Sequence, residues 1–296
     1  MSMRKQLVTT MERLLEADTR TVLLLGDIGV FGFRRAFQQF QTRVYNIGIL
    51  EQTTVGLAAG LARGGLIPVV HTIAPFLVER SYEQIKIDFG YQALGGNFVS
   101  VGASYDYASL GCTHHCPGDV GILLQIPQME IIVPGTAKEF DLLFSHAYSN
   151  GHPTYYRLSE FQNSQSESVE FGKFQVIQQG SRATVLAIGP TLDIVRQASL
   201  GLDVAILYCT TVWPFDSKRL RAQLQNRAKL LVVEPFYEGT LTHLVAQSAG
   251  DAPLQLRSVG VKRKFLTHYG HASDHDAANG ITVAHVRQQL EGLLHA

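Results

Sequence analysis

Short apolar runs rich in β-branched residues alternate with helix-length amphipathic segments along most of this chain. Strands that alternate with helices in this way form parallel sheets covered by helices on both faces. One series of runs reads TVLLLGD, IPVVHT, NFVSVGA, MEIIVPG and PTYYRL, and a second reads ATVLAIG, DVAILYC, KLLVVE and LRSVGV. The alternation therefore predicts an α/β protein with two doubly wound domains and mostly parallel sheets.

A polar segment rich in Ser and Gln, SEFQNSQSESVEFGKFQVIQQGSR, separates the two series. It fits neither the helical nor the strand period and is typical of a linker. We predict domains over residues 1–165 and 181–296, joined by a linker over 166–180. The predicted helices cover Met3 to Ala17, Gln52 to Arg63, Glu79 to Ala93, Ala137 to Asn150, Leu192 to Ser199, Ser217 to Asn226, Leu241 to Ala249 and Val283 to Leu294.

Charge and hydropathy exclude several classes of partner. The chain of 296 residues has 25 Lys plus Arg and 25 Asp plus Glu, which gives a formal net charge of zero. Binding to nucleic acid or to an anionic membrane needs a concentrated positive charge, which this sequence lacks. No apolar stretch approaches the length of a membrane span, and polar residues interrupt the first segment. We expect a cytoplasmic protein whose three cysteines are reduced.

One carboxylate, Glu51, stands in the stretch RVYNIGILEQTTVGLAAGLARGG between an apolar run and a helix of small residues. An acid in the first turn of a helix interacts well with the helix dipole, which is one interpretation. The preceding run YNIGIL favours another, a buried carboxyl group that needs a partner. The small residues of the helix also allow another backbone to approach closely, as at an interface.

Three segments in order carry a resemblance to a known family. NIGILEQTTVGLAAGLARGGLIPVVHTIAPFLVERSYEQIKID, GCTHHCPGDVGIL and IPQMEIIVPGTAKEFDLLFSHAYSNGHPTYYRLS resemble the pyrimidine-binding domain of the transketolase family over about Leu23 to Ser159. The remainder is similar in pattern to the C-terminal domain of that family. The resemblance implies thiamine diphosphate as cofactor and identifies the chain as the second subunit of a split transketolase. It gives Glu51 the role of bonding the N1′ atom of the aminopyrimidine, so that the 4′-amino group can deprotonate the thiazolium.

The resemblance also implies two further cofactor contacts. Phe76 matches the aromatic residue that stacks on the aminopyrimidine, although a Phe beside a proline is also typical of a core. Asp27, in LLLGDIG, matches the place of a loop aspartate near the thiazolium, and a turn Asp is the alternative. A nearby arginine meets substrate phosphate in the 1-deoxyxylulose-5-phosphate synthase branch. This sequence has one extra residue between Phe76 and Arg80, which weakens that correspondence.

Candidate substrate contacts come from the segment SLGCTHHCPGD, where the family has GEDGPTHQ. His114 aligns with the family histidine that faces the donor and can hydrogen-bond or relay protons, which makes it a candidate catalytic residue. His115 replaces a glutamine there, and Leu110 replaces an aspartate that contacts a sugar hydroxyl. Asp106 is a neighbouring acid that could compensate. Ordinary pentose phosphates are therefore in doubt as substrates.

Arg157, in PTYYRLS, follows a predicted strand where the family often has an arginine directed at phosphate or at the scaffold. Its guanidinium suits a sugar phosphate. A surface arginine at the end of a strand is the alternative.

The sequence contains two groups of potential metal ligands, and for each group an explanation without a metal ion is simpler. Zinc could use Cys112, His114, His115 and Cys116, although four ligands so close in sequence rarely surround one ion. A His-rich loop before the last helix is typical of a solvated segment; its potential ligands are His268, His271, Asp274, His275 and Asp276. We predict no metal site in this chain.

A motif that the cofactor requires is absent from the sequence. Thiamine enzymes bind the diphosphate through a divalent metal held by Gly-Asp-Gly and a later Asn, and this chain has no Gly-Asp-Gly. The segment Gly118-Asp119-Val120 with Asn150 is a poor substitute, because Val stands where the backbone must approach closely. The resemblance therefore implies a partner subunit that carries the diphosphate site and Mg²⁺ (or Ca²⁺ or Mn²⁺). We expect an α2β2 assembly that acts on sugar phosphates or related small molecules.

The predicted activity is transfer of a two-carbon ketol unit from a ketose donor to an aldehyde acceptor, in the presence of the partner. The alternatives are the β subunit of a 2-oxoacid dehydrogenase E1, a 1-deoxyxylulose-5-phosphate synthase-like enzyme, and a non-catalytic scaffold homologue. The sequence does not specify the donor, the acceptor or the pathway.

Overall fold

The computed structural model describes residues 1–224 and 228–295, and their strands form a seven-stranded and a five-stranded sheet. The predicted α/β fold with two mostly parallel sheets is confirmed. The strands are β1 (Thr21–Leu25), β2 (Val44–Asn46), β3 (Ile67–Ile73), β4 (Gly96–Val101), β5 (Glu130–Ile132), β6 (Pro153–Arg157), β7 (Gln175–Gln178), β8 (Ala183–Ile188), β9 (Val204–Cys209), β10 (Thr211–Trp213), β11 (Lys229–Tyr237) and β12 (Gln255–Val261).

The first sheet has the strand order β10-β5-β6-β4-β3-β1-β2 and the second β12-β11-β8-β9-β7. All neighbouring strands are parallel except β10 with β5 and β7 with β9. The central strands β1, β4, β8 and β9 are buried along their whole length. Strands covered on both faces read as continuous apolar runs, which explains the pattern in the sequence.

The helices cover both sheets. They are α1 (Met3–Ala17), α2 (Arg34–Gln39), α3 (Glu51–Arg63), α4 (Ala74–Val78), α5 (Tyr82–Gln84), α6 (Asp119–Leu123), α7 (Ala137–Ala147), α8 (Leu192–Ala198), α9 (Ser217–Leu224), α10 (Thr242–Ala249), α11 (Ala272–Asn279) and α12 (Val283–His295). The π-helical stretch Ile85–Tyr91 continues α5, and short 3₁₀ turns lie at Ala108–Leu110, Cys112–His114 and Gly189–Thr191.

Capping residues explain where two of these helices begin. The side chain of Ser2 accepts a hydrogen bond from the Lys5 amide at the start of α1, and Thr136 accepts one from the Glu139 amide at the start of α7. Such bonds satisfy amides that have no partner within the helix. The two helices pack together, and Arg13 of α1 pairs with Asp141 of α7 at 2.9 Å.

Several elements differ from the sequence-based expectation. The predicted solvated, His-rich loop contains a helix, α11, in which His275 is buried. The elements α2, β2, α4 and α6 also lie where none was predicted. Strand β7 lies inside the polar segment that we predicted as linker, because pairing with β9 stabilises a stretch whose residues show no strand period of their own. Strand β10 follows β9 in sequence but pairs with β5 of the first sheet. The limits of the two domains stay a prediction.

One predicted helix reaches a part of the chain without a description. The helix expected over Ser217 to Asn226 is described as α9 up to Leu224, and Asn226 lies outside the described residues. Over residues 1–224 and 228–295, no helix has the length and apolarity to cross a membrane.

The carboxyl ends of β1 and β3 bring the candidate site together. Gly26 follows β1, and a Cβ atom there would lie 2.9 Å from the Thr72 side chain of β3, so only glycine allows this approach. In parallel sheets the loops after adjacent strands lie at the same edge, which is where ligands bind in folds of this class. Asp27, Glu51 and Phe76 all lie in segments that leave this edge.

Candidate active site

Glu51 is the first residue of α3, and its side chain is buried. Gly48 lies just before the helix and has a φ of +85°, a backbone conformation that glycine adopts at little energetic cost. Oε2 of Glu51 lies 3.2 Å from Nη1 of Arg80, whereas Oε1 is buried and has no hydrogen-bond partner among the described residues. A buried oxygen without a partner is costly, so Oε1 is a natural acceptor for a donor group of a ligand. The predicted burial of this carboxyl is confirmed.

An aromatic and cationic cluster is joined to this carboxylate through Arg80. Phe76 of α4 is half-buried, and the Arg80 guanidinium carbon lies 3.9 Å from the centroid of its ring. The ring of His114 meets Phe76 edge-on, with centroids 5.1 Å apart and an angle of 69° between planes. Tyr107 lies on the other flank of His114 at 6.4 Å. Glu51, Phe76 and His114 are thus linked through contacts although they come from three separate segments.

Asp27 is held in place by Asn46 at the end of the neighbouring strand. Its amide donates to Oδ1 of Asn46 at 3.0 Å, and Nδ2 of Asn46 donates to its carboxylate at 3.1 Å. The φ of Asp27 is +61°, a left-handed conformation that costs energy for a residue other than glycine. The side chain is exposed at the same edge as Glu51. Its contact with cofactor stays a prediction.

His115 does not join the cluster of Glu51 and Phe76. It is buried against Tyr105 and against His275 of α11, with ring centroids 4.8 Å and 5.2 Å away. Burial lowers the pKa of His115, and the neighbouring His275 lowers it further. The ring therefore lies between the two halves of the chain, and its contact with substrate stays a prediction.

Arg157 is enclosed in the protein, so the alternative of a surface arginine is wrong. Its Nε atom donates to Oδ2 of Asp119 at 2.7 Å, and Nη2 donates to Oγ of Ser104 at 2.7 Å. Nη2 also donates to the carbonyl oxygen of Pro235 in β11 at 3.3 Å. The guanidinium therefore ties the first sheet to the second. Its contact with a substrate phosphate stays a prediction.

Asp106 lies next to this polar cluster. Its carboxylate accepts hydrogen bonds from the Ala103 and Glu160 amides and from Oγ of Ser159, each at 3.0 Å. Burial raises the pKa of Asp106 to about 7, although the bonds from Glu160 and Ser159 act in the opposite direction. The residue thus fixes the loop after β4 to the segment after β6, and its substrate role stays a prediction.

Arg80 contacts Phe76 although its correspondence with the phosphate-binding arginine is weak. Its guanidinium carbon lies 3.9 Å from the centroid of the Phe76 ring. Because α4 ends at Val78, Arg80 lies in the turn after the helix, and the four-residue spacing alone does not predict this contact.

The family description "Transketolase, pyrimidine binding domain" matches residues 1–163, which include all the candidate site residues. The chain belongs to the transketolase family. The recognition made from its motifs is thereby confirmed, and the family implies use of thiamine diphosphate.

Relatives extend this similarity over nearly the whole chain. An uncharacterized 33.6 kDa protein in the fasciation locus of Rhodococcoides fascians is 42% identical over 290 residues, which cover 97% of this chain and 93% of the relative. A subunit of the apulose-4-phosphate transketolase of Actinobacillus succinogenes is 29% identical over 76% of each chain. A solved structure described as a split gene transketolase, inactive beta4 tetramer, has a TM-score of 0.87. It is 22% identical to this chain and matches 100% of this chain and 98% of the other.

The residues of this transketolase-family chain fit one half of thiamine diphosphate. Oε1 of Glu51 offers an unpaired acceptor, and Phe76 offers an apolar face for a flat ring. In residues 1–224 and 228–295, no group of three or more His, Cys, Asp or Glu side chains could hold a metal ion. The zinc alternative at Cys112 to Cys116 therefore has no support. The described part of the chain fits the aminopyrimidine and offers no such group for the metal that binds the diphosphate.

Proposed function

We propose that this chain is the second subunit of a split, thiamine diphosphate-dependent transketolase. It acts with a partner subunit to move a two-carbon ketol unit from a ketose or ketose phosphate to an aldehyde acceptor. The observation that carries the proposal is the cluster of Glu51, Phe76 and His114, in which a buried acid, an aromatic ring and an imidazole meet at the carboxyl edge of a parallel sheet.

Each residue of the cluster has a task that its position allows. Glu51 donates or shares a proton with the N1′ atom of the aminopyrimidine through its carboxyl group, whose Oε1 atom has no other partner. Phe76 fixes the plane of the ring without competing for its hydrogen bonds. His114 is half-buried beside Phe76 and can hydrogen-bond or relay protons to the oxygens of a donor. When bound, thiamine diphosphate supplies the carbon nucleophile of the thiazolium.

The partner subunit supplies the diphosphate site. It would carry Gly-Asp-Gly and Asn, and it would hold Mg²⁺ against the diphosphate. An exposed apolar surface beside Glu51 supports a partner there: Ile49 is 63% exposed, Leu50 55% and Leu57 43%. Several large apolar side chains exposed close together in sequence are typical of an interaction surface. The relative from Actinobacillus succinogenes is named as one subunit of a transketolase, which also supports a split enzyme. An α2β2 assembly places each active site between unlike subunits.

A product assay separates ketol transfer from the alternatives. The complex of this chain with its partner is incubated with hydroxypyruvate and an aldehyde acceptor, and in parallel with pyruvate. Ketol transfer predicts a ketose product from hydroxypyruvate and little turnover of pyruvate. Rapid use of pyruvate would instead favour a 2-oxoacid dehydrogenase E1 or a 1-deoxyxylulose-5-phosphate synthase-like enzyme. No turnover of either would favour a scaffold homologue.

A further inference from the structure

Arg80 contacts both residues to which the proposed function assigns the aminopyrimidine. Its Nη1 atom lies 3.2 Å from Oε2 of Glu51, and its Cζ atom lies 3.9 Å from the centroid of the Phe76 ring. One guanidinium thus bridges the carboxylate and an aromatic face. A ring that bonds the carboxylate and stacks on this face requires the same space.

The exposed fractions of the Glu51 and Arg80 side chains show that Arg80 covers Glu51. The side chain of Glu51 is 4% exposed, whereas that of Arg80 is 48% exposed. A long side chain with its outer half in solvent can change rotamer, whereas the acid at the first turn of α3 is enclosed. The solvent side of the Glu51 pocket is therefore formed by the half-exposed side chain of Arg80.

We infer that Arg80 is a positioning residue that gates the pocket of Glu51 and Phe76, and that its guanidinium leaves both residues before a neutral aminopyrimidine can bind. The inference rests on the proposed function. The guanidinium that makes the ion pair and the cation–π contact is half exposed, so water can replace both contacts when the gate opens, and removal of the guanidinium should tighten ring binding about fivefold.

The test measures binding of a neutral ring rather than activity. The probe is 4-amino-5-hydroxymethyl-2-methylpyrimidine, which lacks the thiazolium and the diphosphate, titrated into the full chain and followed by NMR. We expect Arg80→Ala to bind the probe about fivefold tighter than the wild type. Arg80→Lys retains the charge but loses the planar fork, so its affinity should lie between the two.

The matched control is Arg63→Ala. Arg63 is the last residue of α3, whereas Glu51 is the first. It removes the same charge from an exposed arginine whose Nη1 donates to Gln92 at 2.9 Å. We expect no change in affinity for the probe. An equal gain in affinity for the probe in Arg80→Ala and Arg63→Ala would indicate a general effect of charge and would contradict a gating role for Arg80.

A third variant, Glu51→Ala, separates failure of the gate from failure of the proposed function. If Glu51→Ala loses probe binding while Arg80→Ala binds as the wild type does or more weakly, the gate is wrong and the aminopyrimidine pocket is retained. If Glu51→Ala binds as the wild type does, or if no variant binds the probe, the aminopyrimidine pocket is wrong and the gate is wrong with it.

Discussion

Nε of Arg157 lies 2.7 Å from Oδ2 of Asp119, and both side chains are almost fully buried. The guanidinium continues to Ser104 and to the carbonyl oxygen of Pro235, so one ion pair joins β6, α6 and β11. Removal of one member of a buried pair leaves the other charged and unpaired, which costs far more than loss of a surface pair.

Replacement of Arg157 should therefore destabilise the fold. We expect Arg157→Met to lower the free energy of unfolding by about 3 to 5 kcal/mol, measured by urea denaturation. The control is Arg13→Met, which breaks the exposed pair with Asp141 and should cost less than about 1 kcal/mol. Similar losses in both variants would contradict the structural role of Arg157.

Asp106 should make stability depend on pH. Burial raises its pKa from 3.8 to about 7 in the folded chain, so folding favours the protonated form. The stability that this preference contributes is fully present below about pH 4 and is lost as the pH rises through 7. Asp106→Asn cannot ionise. The free energy of unfolding of the wild type relative to this variant should fall by about 2 to 4 kcal/mol between pH 4 and 8. A constant difference in the free energy of unfolding across this range would show that the pKa of Asp106 is the same in the folded and the unfolded chain.

Leu110 should make pentose phosphates poor substrates. It is 52% exposed in the 3₁₀ turn before His114, where the family has an aspartate that contacts a sugar hydroxyl. A site without that acceptor leaves the hydroxyl unpaired, so we expect Leu110→Asp to raise kcat/KM for xylulose and ribose phosphates about tenfold. Steady-state kinetics of the complex with its partner checks this. Efficient use of that pair by the wild type would refute the prediction.

Glu51→Gln should keep the fold and remove most of the activity. The amide can fill the same space but cannot share the proton of the aminopyrimidine, and such proton transfer contributes about 10² to 10⁴ in rate. Circular dichroism of the isolated chain and turnover of the assembled enzyme are the two measurements. Turnover near that of the wild type would remove Glu51 from the mechanism.

The fold could be predicted because its strands are local signals. Runs such as TVLLLGD and ATVLAIG became β1 and β8, which are buried on both faces. Strand β10 could not be predicted, because a three-residue strand after β9 carries no information on which sheet it joins. Strand β7 could not be predicted either, because it lies in a polar stretch that is a strand only by pairing with β9.

The candidate site was predicted in part for a similar reason. Glu51, Phe76 and His114 lie on motifs that could be read one segment at a time. Arg157 and Asp119 are 38 residues apart, and the contact with Pro235 spans 78 residues, so no local pattern indicated an internal ion pair. The position of His115 against His275 depends on the packing of the two halves, which sequence spacing does not fix.

In the proposed function, the active site is complete only with a partner subunit. The direct measurement is to purify this chain alone, add thiamine diphosphate and Mg²⁺, and follow cofactor binding by calorimetry and ketol transfer by product analysis. The same assays are then repeated after co-purification with a chain that carries Gly-Asp-Gly and Asn. We expect weak binding and no turnover for the isolated chain, with tight binding and turnover in the complex, because the charge-assisted contacts of the diphosphate come from the partner. Tight binding and full activity of the isolated chain would contradict it.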